Sequence, residues 1–340
     1  MAEGGLKLRW ADLAIAAFLG LITLIANVTG MPYVLFPELG ALGWVIFSDR
    51  RHPWACSPAL LMLTPFLAGL QGLWITRHLA YGPAAVLLNV GLTLLLIAAL
   101  RSPIVPALSA GLLPLALGIH TWTYPFSILI GTGGLALVIA LRARLAQGPA
   151  PAEGPEAPSP ALWRLRGSIQ PLPPLRDWLL PFGLFLLGGL LLVRLIGSPL
   201  VLFPPLLVIA FETVVHRLHC PWRGRSLSVW LVANGSAVVG LALVRGLGVG
   251  PAAAFLAVLA TLALLKLARL PFPPALGLAL LPFVIPHPPL TYPLFTMAGS
   301  LWLLVVVALQ EVLAGPGAGG GTGSGTGSGA AAPSAEPRPA

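Results

Sequence analysis

Apolar residues run along this chain in long unbroken stretches, and they do not alternate with polar ones. In the first half these stretches fall near 11–29, 33–48, 58–76, 82–100, 103–119 and 124–142. In the second they fall near 178–197, 200–215, 227–244, 250–268, 272–286 and 291–310. A membrane β-barrel needs period-2 alternation, which a run such as VGLTLLLIAAL lacks. Roughly 20 helical residues cross the ~30 Å hydrocarbon layer, and most of the runs approach that length. The second and fifth run of each half are short, since a helix of about 16 residues reaches only about 24 Å. The pattern therefore predicts an all-α, polytopic transmembrane bundle with about twelve membrane segments, some of them short or broken at proline.

The same phrases come twice. VLFP at Val34 returns at Val201, HPW at His52 returns as HCPW at His219, and GPAA at Gly82 returns at Gly250. PALSAGLLP from Pro106 returns as PALGLALLP from Pro274, and TYP at Thr123 returns at Thr291. Kept order at a spacing of 167 or 168 residues marks a tandem duplication. Each copy has six segments, an even number, so both copies face the same way, as in transporters built from parallel repeats. This gives a first membrane repeat over 1–145, a Pro-rich cytoplasmic linker over 146–174, a second repeat over 175–312, and a Gly/Ser/Ala/Pro tail over 313–340. The tail's composition predicts disorder.

Composition agrees with burial in lipid: only 9% of residues are charged and mean hydropathy is +0.92, where a soluble domain carries about a quarter charged residues. The net charge of +9 raises nucleic-acid binding, which needs basic residues gathered on one solvated face. Here the 19 Lys and Arg sit at the ends of apolar runs. With a cytoplasmic N-terminus and every segment crossing, all of them except Arg77, Arg194 and Arg245 fall inside, the bias the positive-inside rule describes. A nucleic-acid partner is excluded on this ground. The expected location is the plasma (inner) membrane with both termini cytoplasmic. The apolar run after Arg9 is too long for a typical signal-peptide core and reads as an uncleaved first membrane helix.

The order LFPELGALGWVIF, a Pro-containing loop, an apolar helix and then a Pro-Ala turn opening a small-residue stretch (IVPALSAGLL from Ile104, FPPALGLALL from Phe272) resembles the HPP family of integral membrane proteins. The resemblance covers segments two to six of each half, so the chain looks like two such units fused. At the family's histidine position stand Ile104 and Phe272; a literal HPP at His287 lies one segment boundary later. The resemblance implies transport of a small anion such as nitrite.

Glu38 is the one carboxylate inside the second apolar run, and its counterpart is Pro205. An ionised carboxylate at membrane depth costs about 2.5–3.5 kcal/mol or more on insertion scales, so such residues face a cavity or a partner. A coupling site for a proton or cation is one interpretation, and an interfacial Glu near the end of its segment is the other. Prolines interrupt segment two (Pro37, Pro204, Pro205) and open segment five (Pro103, Pro106, Pro271, Pro273, Pro274). Paired short, Pro-interrupted segments in matching positions point to a transporter's binding site, where helix starts can offer N–H groups to an anion. Small residues there, Gly40, Ala41, Ser109, Ala110 and Gly277, equally serve close helix packing. The expected solute path runs past Pro37, Glu38, Gly40, Ala41, Pro106, Ser109, Pro204, Pro205, Pro274 and Gly277.

Other polar residues carry plainer expectations. Gln71, Asn89, Asn234 and Ser236 read as interhelical hydrogen-bonding groups, Glu212 and His216 as a local helix pair, and Arg194 as an interfacial anchor. Cys56 and Cys220, beside His52, His216 and His219, do not match zinc spacings; the expectation is reduced loop cysteines and no metal. No phosphate loop or nucleophile elbow is present, so no catalytic residue, enzyme activity or cofactor is expected. The expected partners are the lipid bilayer and a small solute. Secondary transport or channelling is the primary expectation, and a non-transporting membrane scaffold or assembly partner is the alternative.

Overall fold

The computed structural model describes residues 9–146, 174–217 and 220–314. The linker and tail expectations therefore lie outside the described residues save at their edges. Twelve α-helices are found among the described residues, and no strand. In the first half they are α1 (Trp10–Thr29), α2 (Leu39–Ser48), α3 (Pro58–His78), α4 (Pro83–Leu100), α5 (Ala107–Leu117) and α6 (Thr123–Ala146). In the second they are α7 (Leu175–Ile196), α8 (Pro204–Ala210), α9 (Ser226–Leu247), α10 (Pro251–Leu267), α11 (Pro274–Leu280) and α12 (Tyr292–Ala314).

Proline and glycine punctuate these helices as their chemistry requires. Pro58, Pro83, Pro204, Pro251 and Pro274 stand at the first helical positions, where a missing N–H costs nothing and φ is already helical. Gly30 and Gly197 end α1 and α7 in the left-handed region, at φ 67° and 78°, the conformation a Cβ disfavours. A short 3-10 turn follows each, Pro32–Val34 and Pro199–Leu202. The short helices do not end cleanly. α8 widens into a π turn over Phe211–Val215, and α11 tightens into a 3-10 turn over Leu281–Phe283, where Pro282 cannot donate to the α ladder.

Seven helices, α1, α3, α4, α6, α7, α9 and α12, are long and apolar enough to cross a membrane. Five apolar stretches are shorter: Pro32–Ser48, Ala107–Leu117, Pro199–Val215, Pro251–Leu267 and Pro274–Phe283. The outer surface carries large apolar side chains such as Leu21, Leu95, Leu137, Leu187 and Leu301. That surface suits lipid and not water, and the chain is an integral membrane protein of the helical class.

The halves interlock. α1 packs on α10 and α4 meets α7; α2 packs on α11 and α5 on α8. Each contact thus has its counterpart with the halves exchanged. Fine detail follows the same rule at a spacing of 168. Tyr124 donates to the Ala110 carbonyl (2.6 Å) and Tyr292 to the Leu278 carbonyl (2.9 Å). Arg77 caps the His120 carbonyl and Arg245 the Pro288 carbonyl. Gly72 lies against the Gly111 carbonyl and Gly240 against the Ala279 carbonyl, so close that a Cβ would collide. Some links are not duplicated: Asp12 of α1, 1% exposed, is ion-paired with Lys266 of α10, and their counterparts are Leu179 and Ala98.

Candidate functional site

The four short helices α2, α5, α8 and α11 meet at the seam between the halves, and all ten residues of the expected path lie buried on them or at their starts. Glu38 is the residue just before α2, fixed by the turn that Pro37 begins: Leu39 N–H reaches the Phe36 carbonyl (2.9 Å) and Gly40 N–H the Pro37 carbonyl (3.2 Å). This geometry turns the side chain inward, and Glu38 is 0% exposed. The carboxylate is thus enclosed by protein rather than exposed on the outer surface.

Two residues that correspond in the halves face its carboxylate. A methyl group at Gly277 of α11 would lie 3.2 Å from Oε2. The Ser109 hydroxyl of α5, 1% exposed, lies within hydrogen-bonding reach of the carboxylate, yet the pair is not aligned as a good hydrogen bond and neither group has another partner. A buried polar group without a partner is costly, so this triad is not explained as packing. Gly40 brings α2 and α11 into contact, since a methyl there would fall 2.8 Å from Leu276 Cβ.

Helix starts at the seam offer little to an anion. Ser109 N–H bonds to the Pro106 carbonyl, Leu206 N–H to Phe203, and Ala275 and Leu276 N–H to Phe272 and Pro273. Prolines occupy the remaining first positions of α8 and α11. Local turns have consumed the donors that the sequence led one to expect there.

Beside this seam lies a cavity of about 560 Å³. Its walls are the end of α2 and the following loop (Trp44, Asp49, His52, Trp54), the approach to α5 (Pro103, Val105), Trp178 of α7, the end of α8 with its π turn (Phe211, Glu212, His216), Trp222, and the approach to α11 (Pro271, Pro273, Pro274). Several walls correspond in the two halves: Trp54 with Trp222, Pro103 with Pro271, Asp49 with His216. Of the ten expected path residues only Pro274 lines this cavity. Gly277 follows Pro274 by three residues, about 4.5 Å along a helix at 1.5 Å per residue. Glu38 therefore sits just beyond the cavity wall, and its oxygens are closed off from it.

Some of the cavity's polar groups are paired, while Trp44 Nε1, Trp178 Nε1 and His216 Nε2 are buried without a partner. Glu212 Oε2 accepts from His216 Nδ1 at 2.9 Å, the local pair expected from their spacing. Trp54 Nε1 donates to the Pro103 carbonyl (2.8 Å), and Trp222 Nε1 to Thr213 Oγ1 (3.1 Å). In the loop after α2, burial pulls the His52 imidazole below its usual range, while the Asp49 and Glu212 carboxylates pull it back up. Away from the seam, Gln71 donates to the Asn89 carbonyl and Thr93, Asn89 to the Gly111 carbonyl, and Asn234 to Ser300 while accepting from Thr296. Those three residues bind helices together; Ser236 bonds only within its own helix.

Both described cysteines are free thiols, and burial pushes Cys220 up to about 11. Among the described residues no group of three or more His, Cys, Asp or Glu is placed to hold a metal; His219 lies outside them. Sequence reasoning missed the aromatic walls and the Asp12–Lys266 pair. The repeated Pro-Trp of HPW and HCPW was the one signal for the walls. No protein-family model, curated protein or solved structure matches the chain.

Proposed function

We propose that this protein is a secondary transporter of a small solute, with its path along the seam between the halves and Glu38 as the proton-coupling group. The chain would cross the membrane twelve times in two parallel six-segment repeats, both termini on the cytoplasmic face of the plasma membrane, as the placement of Lys and Arg implies. The supporting observation is the enclosed Glu38 carboxylate, met only by the poorly aligned Ser109 hydroxyl and facing the corresponding Gly277, next to a cavity whose walls come from both halves. An ionised carboxylate there has no nearby charge to offset its desolvation. Glu38 carries a proton while enclosed and releases it when the seam opens to water. Coupling then follows because solute binding favours the open arrangement.

The likeness to the HPP family implies an anion such as nitrite. The spent helix-start donors give such an anion little to hold, and the solute's chemistry is argued separately below. A scaffold without transport function asks for a densely packed seam with no cavity, and the cavity weighs against it.

The test is uptake into liposomes bearing the full chain under an imposed proton gradient, with nitrite, nitrate, chloride and an organic cation as solutes. Gradient-driven uptake of one of them, abolished in Glu38→Gln, is the expected result. No flux of any from folded, inserted protein would overturn the proposal and leave the scaffold role.

A further inference from the structure

The cavity's walls are unlike those of an anion site. Five aromatic side chains, Trp44, Trp54, Trp178, Phe211 and Trp222, share them with two carboxylates, Asp49 and Glu212, and among the described residues no Lys or Arg lines the cavity. Described arginines at this end stand outside the lining: Arg50, Arg51, Arg101, Arg223 and Arg269 are exposed, and Arg142, Arg217 and Arg225 are partly buried. Aromatic faces attract cations through the ring quadrupole, and carboxylates repel anions at short range, most strongly where water is excluded. Size points the same way. A cavity of about 560 Å³ lies within the roughly 300–1,000 Å³ that hold drug-sized ligands, and a triatomic anion would leave most of it to water.

The histidines do not reverse this balance. His216 is engaged through Nδ1 with Glu212 and keeps Nε2 unpartnered, and the Trp44 and Trp178 indole nitrogens are unpartnered too. This leaves neutral hydrogen-bonding groups beside the aromatic faces, and the Asp49 and Glu212 carboxylates act on His52. Both carboxylates are at least partly open to the surroundings: Asp49 is exposed and Glu212 half-buried. We infer that this cavity is a binding site for lipophilic organic monocations, seated among Trp44, Trp54, Trp178, Phe211 and Trp222 with their charge toward Asp49 and Glu212. The inference deepens the transport proposal by naming its solute class, and it rests on that proposal for the cation's passage across the seam; its binding step stands alone.

Tetraphenylphosphonium and tetraphenylborate have nearly the same shape and opposite charge, so they separate charge recognition from greasiness. Binding of each to the purified full-length protein is measured by equilibrium dialysis and by quenching of tryptophan fluorescence, with empty micelles as the blank. Saturable 1:1 binding of the phosphonium, no saturable binding of the borate, and at least tenfold weaker phosphonium binding in Glu212→Gln are expected. Asp49→Asn, at an exposed loop position, gives the same readout where Glu212→Gln folds poorly. Equal binding of the two ions, preference for the borate, absence of saturable phosphonium binding, or unchanged affinity in both folded variants would overturn the inference. Phosphonium binding without gradient-driven movement would keep this site and remove the transport proposal. Gradient-driven movement of another solute without phosphonium binding would do the reverse.

Discussion

Glu38 is the residue on which structure and function pull apart most clearly. Its carboxylate has no aligned partner among the described residues, and a buried polar group in that state costs about 1–3 kcal/mol. Replacing it with an apolar group of similar volume removes the penalty without opening a cavity. Glu38→Leu is therefore expected to raise thermal stability in detergent by about 1–3 kcal/mol while abolishing gradient-driven uptake. A residue kept for packing gives the opposite pattern, with lower stability and no functional change, and a melting curve beside a transport assay separates the two. The residue's importance was legible as a lone carboxylate in an apolar run, but its neighbours were not. Ser109 and Gly277 stand 71 and 239 positions further on, and no spacing rule connects them to Glu38. What the sequence does hold is that they occupy the same place in the two copies.

Among the elements, helix contacts rest on a few positions where a side chain is forbidden. Gly72 of α3 abuts the Gly111 carbonyl of α5, and Gly240 of α9 abuts the Ala279 carbonyl of α11. In both the obstacle is backbone, which cannot rotate away. Gly91 of α4 has nothing within 4 Å of where a Cβ would lie and is exposed. Gly72→Ala and Gly240→Ala are each expected to destabilise by about 1–3 kcal/mol, the usual cost of overpacking. Gly91→Ala is expected to be neutral or to stabilise by up to about 1 kcal/mol, the helix-propensity gain. Thermal denaturation of the three variants in one detergent decides it, and equal effects would show that these contacts are not limiting. The helices themselves were visible as apolar runs, and their ends follow the prolines and glycines. The turns inside the short segments were not visible. Hydrophobicity continues unchanged from Leu276 to Phe283 while the backbone passes from α to 3-10, because the event is a missing N–H at Pro282 and not a change of polarity.

For the whole molecule, the repeated phrases were plain in the sequence, but the exchange of partners was not. α1 lies on α10 and α2 on α11, contacts spanning more than 200 residues that leave no periodic trace. The Asp12–Lys266 pair joins two residues that sequence alone reads as separate interfacial charges. What the repeated phrases do predict is orientation, and the chain's own cysteines allow a test. Cys56 is exposed in the loop between α2 and α3, and Arg223 is exposed in the corresponding loop between α8 and α9. Ala80, exposed between α3 and α4, belongs to the opposite face. With Cys220→Ala as background, Cys56 alone, or Arg223→Cys or Ala80→Cys in a Cys56→Ser chain, gives three single-thiol proteins. In right-side-out vesicles a membrane-impermeant maleimide is expected to label Ala80→Cys at once, and the other two only after permeabilisation. Labelling Cys56 and Arg223→Cys from opposite sides would mean inverted repeats. The seam would then relate the halves through an axis in the membrane plane, and the cavity would no longer open toward a single face. Labelling both from the cytoplasmic side fixes the halves as parallel and sets the cavity at the inner end of the path, so that Glu38 takes the outer position and a solute arriving from outside meets the carboxylate before the aromatic walls.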